Sequence, residues 1–494
     1  MNRKRMLTLS LCALCLVSLM ALPVRANSAQ RYWQGVLPTG SLVQQEDCPL
    51  VVEQETLLFS LPEFPKTHYD SAEELLNYPG QVTAEYQILN PSDYTVTAQL
   101  LFPFGPVPSY SYVYDPETMT AQTVLDTEKF DILLDGQPIR KALRHSLFLP
   151  GDTFDVRRDL PRIRDGYAET WDLPAQVAAY YGLDGQLPEP MAVSPITLFS
   201  EYRWRVPDMD QKNHPAATWG LTLPPELRAM VILPQLSGSH LLPDGSLRLG
   251  CDVRPGDELV LYLLEPQSSY QPQWQLYADG GCADGEELPA QLEALPMSGC
   301  TLRSMEELAL MHRPPDSPVS TVDWYNAVID AMYYGNPTGT MPMVVRPEAL
   351  HPEQNFMRWY AYELTLGPGQ RAVNRVTAPM YPDIDLGYES AAYDYAYLLS
   401  PASTWVAFGP IHVEIHTPYN LVSENHRDFT PQDYGYSLDY AGLPEGELHF
   451  RLSTGEAADF RMHSLREQYL PTVLILGGAA ILVTLGAARR RKRH

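Results

Sequence analysis

The 19 residues from Leu470 to Ala488 carry no charge, and Arg489, Arg490, Arg491, Lys492 and Arg493 follow at once. At ~1.5 Å per residue a helix of that length covers roughly 28 Å, close to the ~30 Å hydrocarbon core of a bilayer. The pattern predicts one C-terminal transmembrane helix over 469–488, with Tyr469 at the interface and the basic tail 489–494 on the cytoplasmic side. At the other end Arg3, Lys4 and Arg5 precede an apolar run from Met6 to Leu22, and Pro23, Val24, Arg25 and Ala26 then complete the layout of a secretory signal, with cleavage expected after Ala26. The chain is thus expected in the cell membrane as a single-pass protein, its N-terminal ectodomain outside and its C-terminus cytoplasmic.

A sortase-type wall signal also joins an apolar stretch to a basic tail, but it needs Leu-Pro-x-Thr-Gly upstream. Here Leu470-Pro471-Thr472 is followed by Val473, and the tetrad already touches the apolar run, so a retained helix is favoured. Gly477, Gly478, Ala479 and Ala480 would let a second helix approach closely and permit a homodimer through the span, although no GxxxG is present.

The signal holds four of the 35 basic residues and the tail five, and neither holds an acid, which leaves 26 bases against 60 acids in the ectodomain. A surface so acidic repels polyanions, which argues against nucleic acid as a partner and leaves cations, neutral glycans and envelope proteins open. Once Cys12 and Cys15 leave with the signal, Cys48, Cys251, Cys282 and Cys300 remain in an oxidising compartment. Cys282 with Cys300 is the preferred disulfide because the two bracket a local loop, which leaves Cys48 with Cys251. Close Cys-x-x-Cys pairs that would suggest a zinc site are absent.

Strand-like alternation runs through 48–61, 82–102, 130–134, 247–253 and 258–264, and Asn90-Pro91-Ser92-Asp93 reads as the turn of a hairpin. Asp135-Gly136 is another hairpin signal. One short helix is expected near 175–181. Ser304 with Glu307 forms a capping box before a helix ending by Pro314, and a second helix follows Thr321, its stripe Tyr325, Val328, Ile329 and Met332 and its stop Gly335 with Pro337. Strands resume at 357–366, 371–378, 391–399, 411–417, 434–440 and 447–453. The expected fold is mainly β, with two β-sandwich-like modules in the ectodomain, a small helical insertion and the terminal helix. Its divisions are a signal peptide 1–26, an N-terminal sandwich-like region 27–275, a helical and loop insertion 276–345, a C-terminal sandwich-like module 346–455 and a juxtamembrane linker 456–468. Tyr86 to Pro103 and Tyr362 to Pro379 have the same spacing around a proline-bearing turn, an echo that suggests duplication of one sandwich.

The sharpest polar constellation is His412-Val413-Glu414-Ile415-His416. On a strand it places His412, Glu414 and His416 on one face, where two imidazoles and a carboxylate could hold a divalent metal; a wet sheet face gives the same alternation. Tyrosines recur in period two at Tyr110, Tyr112 and Tyr114, at Tyr360 and Tyr362, at Tyr393, Tyr395 and Tyr397, and at Tyr434 and Tyr436. Exposed, such rows would stack on a carbohydrate; buried, they pack across strands. No nucleophile elbow, phosphate loop or dinucleotide fingerprint appears, so no catalytic or cofactor-binding residue is assigned.

Several patches carry a resemblance: Asn90-Pro91-Ser92-Asp93 with Phe102-Pro103-Phe104; Asp323-Trp324-Tyr325-Asn326-Ala327; Tyr397-Leu398-Leu399-Ser400-Pro401 with Trp405; Thr417-Pro418-Tyr419; and Leu443-Pro444-Glu445-Gly446-Glu447-Leu448. Together they resemble an uncharacterised family of exported, C-terminally anchored proteins of Gram-positive, gut-type bacteria. The resemblance implies an envelope location and a β-rich build and transfers no catalytic residue. The readings left open are a non-enzymatic binding or envelope-interaction module, a metal-dependent hydrolase built on the His-x-Glu-x-His strand, and a carbohydrate-binding surface protein.

Overall fold

The two segments of equal spacing embrace each other. In the computed structural model, the residues described are 41–43, 48–67, 69, 71–105, 108, 112–115, 120–123, 130–148, 154–171, 191–192, 194–208, 216–264, 270–278, 286–294, 301–334, 343–422 and 428–455, apart from a few positions inside those ranges. Gln81–Leu89 pairs antiparallel with Arg371–Pro379, and Val96–Gly105 pairs antiparallel with Phe356–Leu366. Each segment is therefore an arch that leaves one sheet and enters the facing one. This corrects the hairpin expected at Asn90–Asp93. Val82, Ala84, Tyr86 and Ile88 before the turn and Ala98, Leu100 and Phe102 after it are all buried. Two apolar strand faces joined by one turn are best buried against each other across a core, which places them in different sheets.

Asn90 locks the two arches. It is fully buried, and its Nδ2 donates to the carbonyls of Tyr94, Leu366 and Gly367 at 2.8, 3.0 and 3.0 Å. Its Oδ1 accepts from the Ser92 amide at 3.0 Å, so the turn residue of one arch closes the other. The opposing turn needs Gly369, whose φ is +65°.

The larger sheet has eight strands in the order Thr430–Gln432, Gly435–Tyr440, Ile411–His416, Val51–Ser60, Gln81–Leu89, Arg371–Pro379, Asp131–Leu134 and Gln137–Pro138. Val51–Ser60 and Ile411–His416 run parallel. A four-stranded sheet of Leu42–Val43, Val96–Gly105, Phe356–Leu366 and Lys141–Leu147 and a second of Asp383–Asp385, Ala392–Tyr397, Leu448–Ser453 and Asn420–Leu421 share one continuous core with it. Strands from 42–147 and 356–453 thus alternate within the same sheets. The modules expected at 27–275 and 346–455 do not close separately, because the strands of each find their partners in the other.

A second sandwich lies within this frame. Its six-stranded sheet, with Leu198–Arg205 and Glu258–Leu264 at its centre, faces a five-stranded sheet built on Thr218–Leu223 and Leu247–Cys251 across a separate core. The helices join the two sandwiches. Met305–Leu310 begins with the expected capping box of Ser304 and Glu307, and Thr321–Tyr334 buries Tyr325, Val328, Ile329 and Met332. Their core includes Phe199, Val260 and Tyr262 from the inserted sandwich and Leu147 and Phe356 from the outer one. All the described residues belong to one compact unit.

The cysteine expectation is corrected in part. Cys48 is a buried free thiol of the outer core and Cys251 lies in the inserted core, so the expected bridge between them is not formed. Each is packed as a small hydrophobe in its own sandwich. Cys282 and Cys300, the signal peptide, the helix near 175–181, the linker 456–468, the 469–488 span and its tail lie outside the described residues. Among the described residues no helix is long and apolar enough to cross a membrane.

Candidate functional site

The strand Ile411–His416 alternates as its sequence requires: Ile411, Val413 and Ile415 enter the core, and His412, Glu414 and His416 face outward. The three polar side chains are 34%, 30% and 40% exposed, an open sheet face rather than a cleft. His412 Nε2 lies 3.3 Å from Glu414 Oε1, and His416 Nε2 lies 2.9 Å from Glu414 Oε2. On the next strand Asp439, directly opposite, reaches His412 Nδ1 at 2.6 Å. Tyr434 covers the His416 ring at 4.3 Å.

This row is electrostatically self-contained. The hydrogen bond to Asp439 raises the His412 pKa against the opposing effect of burial, and Glu414 adds to the rise. For Glu414 partial burial works against ionisation, yet hydrogen bonds from His416 and His412 outweigh it and hold the carboxyl below its ordinary value. Among the described residues no group of three or more His, Cys, Asp or Glu side chains is placed to hold a metal ion. The carboxylate that would complete a three-ligand set spends its two oxygens on the two imidazoles.

The outward face continues the same way. Arg375 pairs with Glu85, and Arg371 with Glu53 at 2.7 Å; Thr83 and Thr377 share a hydroxyl bond of 3.1 Å. On this sheet face these charged side chains pair with partners along the same strand or on other strands of the sheet.

Behind it, on the inner face, lies a polar cluster that sequence reasoning missed. Glu55 is fully buried. Burial pushes its pKa up to about 8, and the Tyr86 and Tyr397 hydroxyls offset this only partly. Neither of its carboxylate oxygens reaches full hydrogen-bond geometry with a protein group. The signal was present, since Glu55 is in period two with Leu57 and Phe59, which are both buried. A β-bulge between Val52 and Gln54 then brings Val52 to the inner face as well. Around Glu55 the hydroxyls of Tyr86 and Tyr397 lie 3.3 Å apart. Tyr362 donates to Asn374 Oδ1 at 2.8 Å, and the Asn374 amide donates to the Leu133 carbonyl at 3.2 Å.

The tyrosine rows are mostly core. Tyr360, Tyr362, Tyr395 and Tyr397 are buried, Tyr393 and Tyr436 half-buried and Tyr434 exposed at the sheet edge. Tyr393 is stacked on Phe64, which is stacked on Tyr419 in turn, at 3.6 and 3.8 Å between ring centroids. The side chains of Tyr110, Tyr112 and Tyr114 are outside the described residues. Buried rows offer no platform to a glycan.

The family-like patches are joints. Asp323 accepts from Arg144 Nε at 3.0 Å and from the His145 amide at 2.9 Å, and Asn326 takes the Ala168 amide at 2.8 Å and donates to the Gly166 carbonyl at 2.9 Å. Trp324 donates its indole N–H to the Ala309 carbonyl at 3.0 Å. Glu447 caps the turn after Tyr397 by accepting from the amides of Leu399 and Ser400. These contacts dock helix to sheet and strand to turn.

No family model and no curated protein matches the chain. Among solved structures it is similar to a protein of Legionella pneumophila provisionally described as a nutrient-binding protein, at 8% identity over 85% of this chain and 72% of that one. The TM-score of 0.30 is too low for that likeness to carry an argument.

Proposed function

We propose that this chain is a membrane-anchored, outward-facing protein whose β ectodomain works by binding an envelope partner, without catalysis. The observation that carries this reading is the partly exposed outward face around His412, Glu414, His416 and Asp439, whose charges pair with one another. Catalysis needs groups that converge on a reacting atom in a site that excludes water. A polar sheet face instead suits contact with a second macromolecule, and the excess of 60 acids over 35 bases favours a basic or neutral one. Anchoring and orientation rest on the apolar runs and their flanking basic residues. Protease treatment of intact cells should release the bulk of the chain, and full protection would contradict the topology. For binding, the test is capture from intact cells by in situ crosslinking, compared with a chain carrying His412→Ala, Glu414→Ala and His416→Ala. Turnover of an envelope polymer by the purified protein would sink the non-enzymatic reading.

A further inference from the structure

Ser41 is fully buried, and side chains drawn from across the sequence recognise every polar atom it has. Its amide donates to the Tyr86 hydroxyl at 2.9 Å. Its carbonyl accepts from the Trp405 indole N–H at 2.7 Å. Its hydroxyl lies 2.9 Å from that of Tyr362, which already donates to Asn374, so the serine is the donor there. Beyond this cage the strap Leu42–Val43 is held to its sheet by pairing of Leu42 with Leu101 and Val43 with Leu100.

Backbone groups are ordinarily satisfied by other backbone groups of a sheet or turn. Here the backbone N–H and C=O of one residue are read by an indole and a phenol, and its side chain by a second phenol. That is how a binding site recognises an extended peptide. The floor of the cage is built by Tyr86, Tyr362 and Asn374, which the two arches supply, and Trp405 closes it. All four are buried, and Tyr86, Tyr362 and Trp405 belong to the outer core, so the cage is built by the sandwich, with the strap as its occupant.

We propose that this cage is a binding site for an extended polypeptide with a small hydroxylated residue at its centre, and that residues 41–43 of a second copy of this chain are its exchange partner. A second copy's strap presents the same N–H, C=O and hydroxyl to the same three donors and acceptors. Exchange of an identical element replaces each contact by its equal, so two copies associate without any new interface having to be built. The proposal stands independently of the outward His412 face.

The test uses the full-length chain in detergent and a fluorescent peptide of residues 38–45. The peptide should bind, and a peptide with Ser41→Pro, which lacks the N–H donor to Tyr86, should not. Loss of the hydroxyl in a Ser41→Ala peptide should weaken binding about two- to tenfold, the range for one neutral hydrogen bond. A full-length Ser41→Pro chain, whose own strap competes less well, should bind the unmodified peptide at least fivefold more tightly than the unaltered chain does. Two differently tagged full-length chains should co-purify and be separated by excess peptide. A folded Ser41→Pro chain that binds no peptide, or co-purification that the peptide leaves intact, overturns the proposal. If Ser41→Pro does not fold, a full-length Ser41→Ala chain, whose strap loses only the hydroxyl bond to Tyr362 while the cage stays intact, takes its place and should bind the unmodified peptide about two- to tenfold more tightly than the unaltered chain does.

Discussion

Replacing Glu55 by Gln keeps the shape of a fully buried side chain and removes its titration. In the folded chain burial holds the carboxyl protonated to about pH 8, against an ordinary value of 4.5. A raised carboxyl pKa means that the native state binds the proton more tightly than the unfolded one. Its contribution to stability is therefore neutral below pH 4.5, falls as pH rises from there to about 8, and is constant above. Each unit is worth ~1.4 kcal/mol, so at pH 7 Glu55 costs the fold roughly 3 kcal/mol relative to pH 4.5. The Gln variant is free of that slope. Urea denaturation of both proteins at pH 5, 6, 7 and 8 measures it directly, because every other titrating group is shared and cancels in the difference. The stability gap should move in favour of Gln by ~1 kcal/mol or more per pH unit across that range. A gap that stays constant from pH 5 to 8 would refute the reasoning, since Glu55 would then titrate alike in the folded and unfolded chains.

Asn90→Ala deletes donors to three carbonyls at the junction of the arches and should cost roughly 2–4 kcal/mol, seen as a lower urea midpoint. Asp323→Ala removes the buried acceptor of Arg144 Nε and of the His145 amide, while Arg144 keeps Asp165 and the Arg164 carbonyl, and should cost about 1–3 kcal/mol by the same assay. His412 should titrate above the ordinary imidazole range in an NMR pH series, and Asp439→Asn should bring it down. The stabilisation from that pair is complete at pH values below the ordinary imidazole pKa and is lost as pH rises through the raised one. With His412 34% exposed, its effect on overall stability is small.

Much of this chain was legible residue by residue. Period-two alternation over 48–61, 258–264, 357–366, 371–378 and 411–417 pointed to the strands found at 51–60, 258–264, 356–366, 371–379 and 411–416, and the Ser304–Glu307 box placed the start of its helix, because alternation and capping depend only on neighbours a few residues apart. The outward row of His412, Glu414 and His416 was readable for the same reason. Strand partnership was not. The same alternating run serves a hairpin or an arch, and only the competition among all apolar faces for one core decided that 81–89 pairs with 371–379 and 51–60 with 411–416. Glu55 and Ser41 fall on the same side of that divide. A carboxylate in period two with Leu57 and Phe59 can be carried inward only when enough apolar surface is buried around it to outweigh its desolvation. A serine becomes a keystone only when a tyrosine 321 residues away and a tryptophan 364 away converge on it. Sequence alone settled which segments extend and which of their faces are apolar; tertiary structure settled which faces meet, and with that which polar groups are shut inside.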